Sequence, residues 1–286
     1  YKHGWTIGGP ISVRYDADQL VCHRVQVSET LVKEDIVDIF EQDFKDLRDP
    51  AAYDTALSQE DRKFIEIVNS EAEHKDGHFV MPLPFREDDV AMPFNRVLAA
   101  KRAESQKRKM LSNESYHKDY VAFVEDLLSK GYAKVVPQNE IKCRKGKVWY
   151  LPHHGVYHPT KGKLRVVFDC SARYGGTSLN EHLLQGPDLA NLLVGVLTRF
   201  RLGPVALIGD LEAMFHQVRV HERCQDFLRF LWWPRGNLQG PLREYCMRVH
   251  LFGASSSPSI ANSALRKTAD LAETRDFDAN VAQVIR

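Results

Sequence analysis

Apolar residues recur every three to four positions along some stretches of the chain and every second position along others. The first spacing predicts helices and the second predicts strands. Residues 1–28 read as short extended pieces, with Val21-Cys22-His23-Arg24-Val25 alternating like a half-exposed strand. Val32, Ile36, Phe40 and Phe44, widened by Ile39 and Leu47, predict a helix that Asp49-Pro50 ends. A second helix starts at Ser58, which can cap it with Asp61 three residues on, and Phe64, Ile65 and Val68 form its apolar face. Met81-Pro82-Leu83-Pro84-Phe85 must be extended, because each proline disfavours a helical residue before it. A basic helix is expected over 95–111. Ser112 or Asn113 then caps a helix striped by Tyr116, Tyr120, Phe123, Val124, Leu127 and Leu128 and stopped at Gly131.

From Tyr132 onward the pattern changes to short strands mixed with helices. Strands are expected over 133–136, 148–151, 164–168, 205–208, 227–233 and 245–249, and helices over 189–200 and 257–271. Hairpin-like loops such as Pro234-Arg235-Gly236-Asn237 lie between some strands and helices between others, which predicts an α+β fold.

Composition narrows the class. The 286 residues are 43% hydrophobic and 27% charged, which excludes wholesale disorder and fibrous architectures. No apolar run approaches the ~18–20 residues of a membrane helix, and no signal peptide opens the chain, so an intracellular, cytoplasmic protein without membrane contact is expected. The chain opens on Tyr1 without a methionine and reads as a cut from a longer polypeptide. Five cysteines with no C-x-x-C pair argue against a disulfide framework or zinc ribbon. The net charge of +1 conceals a division: eight acids against three bases over 29–49, and eight bases against one acid over 134–165. Such asymmetry suits a polyanion met by one part of the chain only.

Three stretches carry candidate chemistry. In Val205-Ala206-Leu207-Ile208-Gly209-Asp210 an apolar strand delivers an acid at its end, a place to hold a hard cation or to cap a helix. In Lys163-Leu164-Arg165-Val166-Val167-Phe168-Asp169, alternation puts Lys163 and Arg165 on one strand face, where two cations can grip a triphosphate or simply be solvated. Leu251-Phe252-Gly253-Ala254-Ser255-Ser256-Ser257-Pro258 places small residues before a helix, which allows close approach of a ligand. His154 and His158 stand at i, i+4, but Pro152, Gly155 and Pro159 oppose the helix a metal pair would need.

In this order and spacing the three stretches resemble the reverse transcriptase core. The segment 163–169 looks like its fingers strand, 210–218 like its motif A and 251–258 like its motif B. Further detail resembles the Pol polyproteins of BEL/Pao-type LTR retrotransposons: Trp149-Tyr150-Leu151-Pro152-His153-His154, the run 164–172, and Ser178-Leu179-Asn180-Glu181-His182-Leu183-Leu184-Gln185-Gly186-Pro187. More weakly, Gly4-Trp5-Thr6-Ile7-Gly8-Gly9-Pro10-Ile11 resembles the end of that group's retropepsin-like protease. The resemblance implies a protease remnant over 1–28, a mostly helical linker over 29–131, and reverse transcriptase fingers with a partial palm over 132–286.

It further implies that Asp210 is a catalytic, metal-binding aspartate, helped by the Leu211 backbone carbonyl. Lys163 and Arg165 would meet the incoming triphosphate, Phe215 would gate the sugar, and Phe252 and Gly253 would line the nucleotide pocket. The basic residues Lys142, Arg144, Lys145 and Lys147 would contact nucleic acid. Mg²⁺ or Mn²⁺ would serve the intact enzyme in two-metal transfer to a primer 3′-OH. The partners implied are an RNA or DNA template-primer, deoxynucleoside triphosphates and other Pol segments: the rest of the palm, thumb, RNase H and integrase. These enzymes carry a Y-x-D-D hairpin after motif B; the sequence to Arg286 contains none, so the chain alone is expected to be inactive. The alternative is a non-catalytic nucleic-acid-binding module derived from a retroelement.

Overall fold

A computed structural model describes residues 57–138, 146–159, 162–191, 193–201 and 208–274, all within one compact unit that spans Leu57–Arg286. Everything expected of 1–56, and positions 205–207 of one expected strand, lie outside the described residues.

Helix α1 (Gln59–Glu71) begins as predicted. Ser58 Oγ accepts the Asp61 N–H at 3.1 Å, the Ser58 N–H returns a bond to Asp61 Oδ2 at 3.3 Å, and Phe64 and Val68 are buried. Strands β1 (Glu73–Lys75) and β2 (His78–Met81) form an antiparallel hairpin absent from the sequence-based expectations. Its signal is Asp76-Gly77, whose φ values of 51° and 75° are the pair of positive angles a type I′ turn needs. Helix α2 (Arg96–Ser112) and helix α3 (Glu114–Ser129) follow. Asn113 Oδ1 caps α3 by accepting the Tyr116 N–H at 2.9 Å, and Gly131 ends it at φ +69°.

Strand β3 (Ala133–Val135) opens the second half, and β4 (His153–Tyr157) with β5 (Leu164–Phe168) forms an antiparallel hairpin in which His153 faces Phe168. After α4 (Leu179–His182) and α5 (Leu193–Phe200) come β6 (Arg219–Val220), α6 (Glu222–Gln225), β7 (Arg229–Trp232), β8 (Arg243–Met247) and α7 (Ser257–Thr274). Among the described residues β2 also pairs, in parallel, with β6, and an antiparallel sheet has the order β3-β8-β7. The Pro234–Gly236 turn separates β7 from β8, as the loop signal predicted. The fold is a mixture of helix and sheet of the α+β kind. Among the described residues no helix is long and apolar enough to cross a membrane.

Several boundaries differ for identifiable reasons. The strand expected over 148–151 is a single bridge between Tyr150 and Arg229. On one side the Leu151 N–H donates to the Arg229 carbonyl at 2.7 Å. On the other, the buried side chain of Asn95 takes both Tyr150 backbone groups at 2.8 Å, where a neighbouring strand would otherwise sit. In the segment 227–233, positions 226–228 form a 3₁₀ turn, so β7 starts at Arg229. Strand β8 begins two residues early and stops at Met247. Beyond it the chain crosses to β6, where the Arg248 carbonyl accepts the Val220 N–H at 2.7 Å. Helix α5 is shorter than expected, beginning at Leu193.

One apolar cluster takes in Tyr116 and Tyr120 from α3, Phe168 from β5 and Trp232 from β7. Tyr120 stacks on Trp232 with ring centroids 4.9 Å apart. Beside them His153 is buried, and its Nε2–H donates to the Leu231 carbonyl at 2.9 Å. That assignment leaves Nδ1 as an acceptor for the Tyr120 hydroxyl, which requires a neutral ring. Burial keeps it neutral, pushing its pKa down to about 4. At the edge of the cluster Arg229 and Glu244 form a buried ion pair at 3.2 Å, and Glu244 also accepts from Tyr150 at 2.7 Å and from Arg96 at 2.8 Å.

The histidine makes stability depend on pH. The unfolded imidazole protonates near pH 6.5 and the folded one near 4, so between those values the unfolded state binds more protons. Unfolding free energy therefore falls as pH drops through that window. Urea titrations at stepped pH are expected to show His153→Gln less stable at pH 7, with a slope against pH lower by up to about 1.4 kcal/mol per unit between 4 and 6.5. An unchanged slope would mean that the folded chain carries a protonated His153.

Candidate nucleotide and nucleic-acid site

The β4–β5 hairpin presents the first candidate residues. Leu164, Val166 and Phe168 are buried, whereas Lys163, just before β5, and Arg165 are exposed, as the alternation predicted. His154 is exposed on β4, which is extended rather than helical, so His154 and His158 do not make a helical pair. Arg102 and Lys109 of α2 face His154 and Asp169 across a cavity of about 250 Å³. Its lining is basic on the helix side.

Among the basic residues expected to touch nucleic acid, Lys142, Arg144 and Lys145 lie outside the described residues. Lys147 is already engaged: its ammonium pairs with Asp89 and donates to the Val90 carbonyl at 3.0 Å. That partner holds the Asp89 carboxyl below its usual range.

In the motif-A-like segment, Ile208, Gly209 and Asp210 belong to no strand, and Ile208 is 88% exposed. Asp210 is exposed as well. The chain then turns at Ala213, whose φ of 50° is left-handed and strained for a residue with a Cβ. A 3₁₀ turn over Met214–Gln217 follows, closed by the His216 N–H on the Ala213 carbonyl at 2.7 Å. Leu211 and Met214 face an apolar groove of about 420 Å³ shared with Ala261 and Leu265 of α7. Burial lowers the His216 pKa, and the nearby Lys130 charge acts in the same direction. Phe215 is half-buried. Its ring meets that of Phe252, centroids 4.3 Å apart at 57°.

Phe252 is 62% exposed and belongs to the loop before α7. The next residue, Gly253, has φ +109° and lies against the end of β5, where an added Cβ would stand 2.1 Å from the Phe168 carbonyl oxygen. Only glycine fits there. Asn180 of α4 reaches the same loop: its side chain donates to the Gly253 carbonyl and accepts the Ser255 N–H, both at 2.9 Å. Sequence reading gave Asn180 no role. The S-x-x-E box formed by Ser178 and Glu181 marks the helix start, but nothing local points 73 residues ahead.

The stretches 164–168, 214–218 and 251–257 are therefore neighbours, joined by the Phe215–Phe252 and Gly253–Phe168 contacts. A divalent ion fits less well. Asp210 and the Leu211 carbonyl offer at most three oxygens where Mg²⁺ takes about six ligands, and the Glu212 carboxylate lies toward Lys130 at 3.9 Å. Among the described residues no group of three or more His, Cys, Asp or Glu is placed to hold a metal. These residues alone do not make a two-metal centre.

The Gly253 contact has a measurable consequence. Gly253→Ala is expected to lower the unfolding free energy by roughly 2–4 kcal/mol, from overlap with the Phe168 carbonyl and strain at positive φ. An unchanged midpoint in urea would mean that the loop is not seated on β5.

In comparisons with family models and with curated proteins, the chain matches none.

Proposed function

We propose that residues 132–286 are the fingers and part of the palm of an RNA-directed DNA polymerase of the BEL/Pao retrotransposon type, and that the chain holds nucleic acid on its fingers surface. The observation that carries this reading is the convergence of the three motif-like stretches at the Gly253 loop, with Phe252 on Phe215 and Gly253 on the Phe168 carbonyl. Phe215 and Gly253, 47 and 85 positions beyond Phe168, would have no reason to meet there by local structure alone.

On this reading Lys163 and Arg165 face a triphosphate or template phosphates from an exposed strand face, and Phe215 with Phe252 walls the nucleotide sugar. Arg102 and Lys109 add positive charge beside the hairpin. Asp210 would contribute one carboxylate to a Mg²⁺ or Mn²⁺ site completed by residues of a Y-x-D-D hairpin, which the sequence given does not contain. The protease-like character of 1–28 and the other Pol segments as partners remain part of the same proposal.

The alternative, a non-catalytic nucleic-acid-binding module, shares the basic surface and differs in the role of Asp210. Binding to single-stranded RNA or DNA is expected to weaken with salt under either reading. Lys163→Glu with Arg165→Glu should flatten the slope of log K against log[salt] by about 1.4, two single-strand phosphate contacts. An unchanged slope would make that face mere solvated surface.

Catalysis separates the two. The 286 residues alone are expected to extend no primer on an RNA template with Mg²⁺ or Mn²⁺. Joined to the palm hairpin and thumb of a closely similar polymerase, they should extend it, and Asp210→Ala should slow that extension at least about a hundredfold. A folded chimera that extends nothing, or one indifferent to Asp210→Ala, would overturn the polymerase reading and leave the binding module.

A further inference from the structure

The loop before α7 sits against β5 through a glycine, the residue least able to hold a fixed conformation by itself. Something outside the loop must therefore fix it. Within the loop, the Ser257 hydroxyl donates to the Leu251 carbonyl at 2.8 Å, which ties its two ends but not its height above the strand.

Asn180 supplies the missing constraint. Its Oδ1 accepts the Ser255 N–H at 2.9 Å, which determines which end of the amide is oxygen. Both Nδ2 protons are then used, one on the Gly253 carbonyl at 2.9 Å and one on Ser171 Oγ at 3.0 Å. The Asn180 backbone N–H donates to the Cys170 carbonyl at 3.1 Å. One half-buried residue thus joins the end of β5, the start of α4 and both sides of Ala254.

No other side chain reproduces this set. Aspartate keeps the acceptor but has no donor for the Gly253 carbonyl, serine is too short, and glutamine is one methylene too long for the same geometry. The ring of Phe252 adjoins Gly253 directly, so the height of the loop decides how Phe252 meets Phe215.

We infer that Asn180 is a positioning residue: it sets the Gly253–Ser255 backbone against β5 and thereby places Phe252 against Phe215 at the mouth of the nucleotide site. The role in nucleotide binding rests on the polymerase reading; the clamp itself does not.

The test uses the 286-residue chain as wild type, Asn180→Ala and Asn180→Asp. Amide hydrogen exchange over peptides spanning 250–258 should speed up at least about tenfold in Asn180→Ala, while peptides from α3 and β7 stay unchanged. Asn180→Asp retains an acceptor for the Ser255 N–H and should keep part of the protection; this variant carries the comparison if Asn180→Ala does not fold. Affinity for Mg²⁺–thymidine triphosphate, measured where each variant is fully folded, should fall about tenfold or more in Asn180→Ala and recover in part in Asn180→Asp. Unchanged exchange would overturn the clamp. Faster exchange with unchanged affinity would overturn its positioning role. A wild-type chain that binds no nucleotide would overturn the role of the clamp in nucleotide binding by this chain, and the exchange result would then decide the clamp by itself.

Discussion

A neutral imidazole ring buried between a tyrosine hydroxyl and a backbone carbonyl is the joint from which the rest of the molecule takes its alignment. His153 links α3 through Tyr120, β7 through the Leu231 carbonyl and β5 through its cross-strand partner Phe168. Charging that ring would strand a cation in an apolar cluster of Tyr120, Phe168, Phe230 and Trp232, so the cluster itself enforces neutrality. The consequence reaches the candidate site. Phe168 is set by His153, and the carbonyl of Phe168 is the seat of Gly253.

Where the chain leaves regular ladders, side-chain amides take over the backbone's hydrogen bonds. Asn95 engages both polar groups of Tyr150, and Asn180 does the same for Gly253 and Ser255 across one residue. Asparagine suits this work because one planar group carries both an acceptor and donors, and a buried backbone group left unpaired would cost about 1–3 kcal/mol. The two clamps differ in setting. Asn95 is fully buried beside the Arg229–Glu244 pair and fixes the sheet, whereas Asn180 is half-buried and fixes a loop that faces solvent through Phe252. Rigid support beneath an open surface is the arrangement a ligand-binding loop requires.

The charges follow a similar division. Lys147, one of eight bases over 134–165, is committed to Asp89 and the Val90 carbonyl, so composition overstates the charge available to a polyanion. Lys163 and Arg165 are directed outward by strand alternation. The cavity between α2 and β4 adds Arg102 and Lys109, which a window drawn along the chain does not contain. Among the described residues, α2 and the hairpin together supply the basic surface here.

Patterns of short range were readable in the amino-acid order. The Ser58–Asp61 capping box, the Asn113 cap, the stripe of Tyr116, Tyr120, Val124 and Leu127, and the outward face of Lys163 and Arg165 all depend on residues within one or two turns. Asp76-Gly77 is a hairpin signal of the same short range. Other features depend on partners far along the chain. Tyr150 loses its strand neighbour to Asn95, 55 residues earlier, and β8 gives up Arg248 to β6. Gly253 is confined by a carbonyl 85 positions before it, and Asn180 reaches 73 positions ahead. Local order sets which backbone conformations are cheap, because caps, turns and alternation act over a few residues. Which buried polar group satisfies which other is settled only when the core closes, since the cost of leaving either unpaired arises only once water is gone.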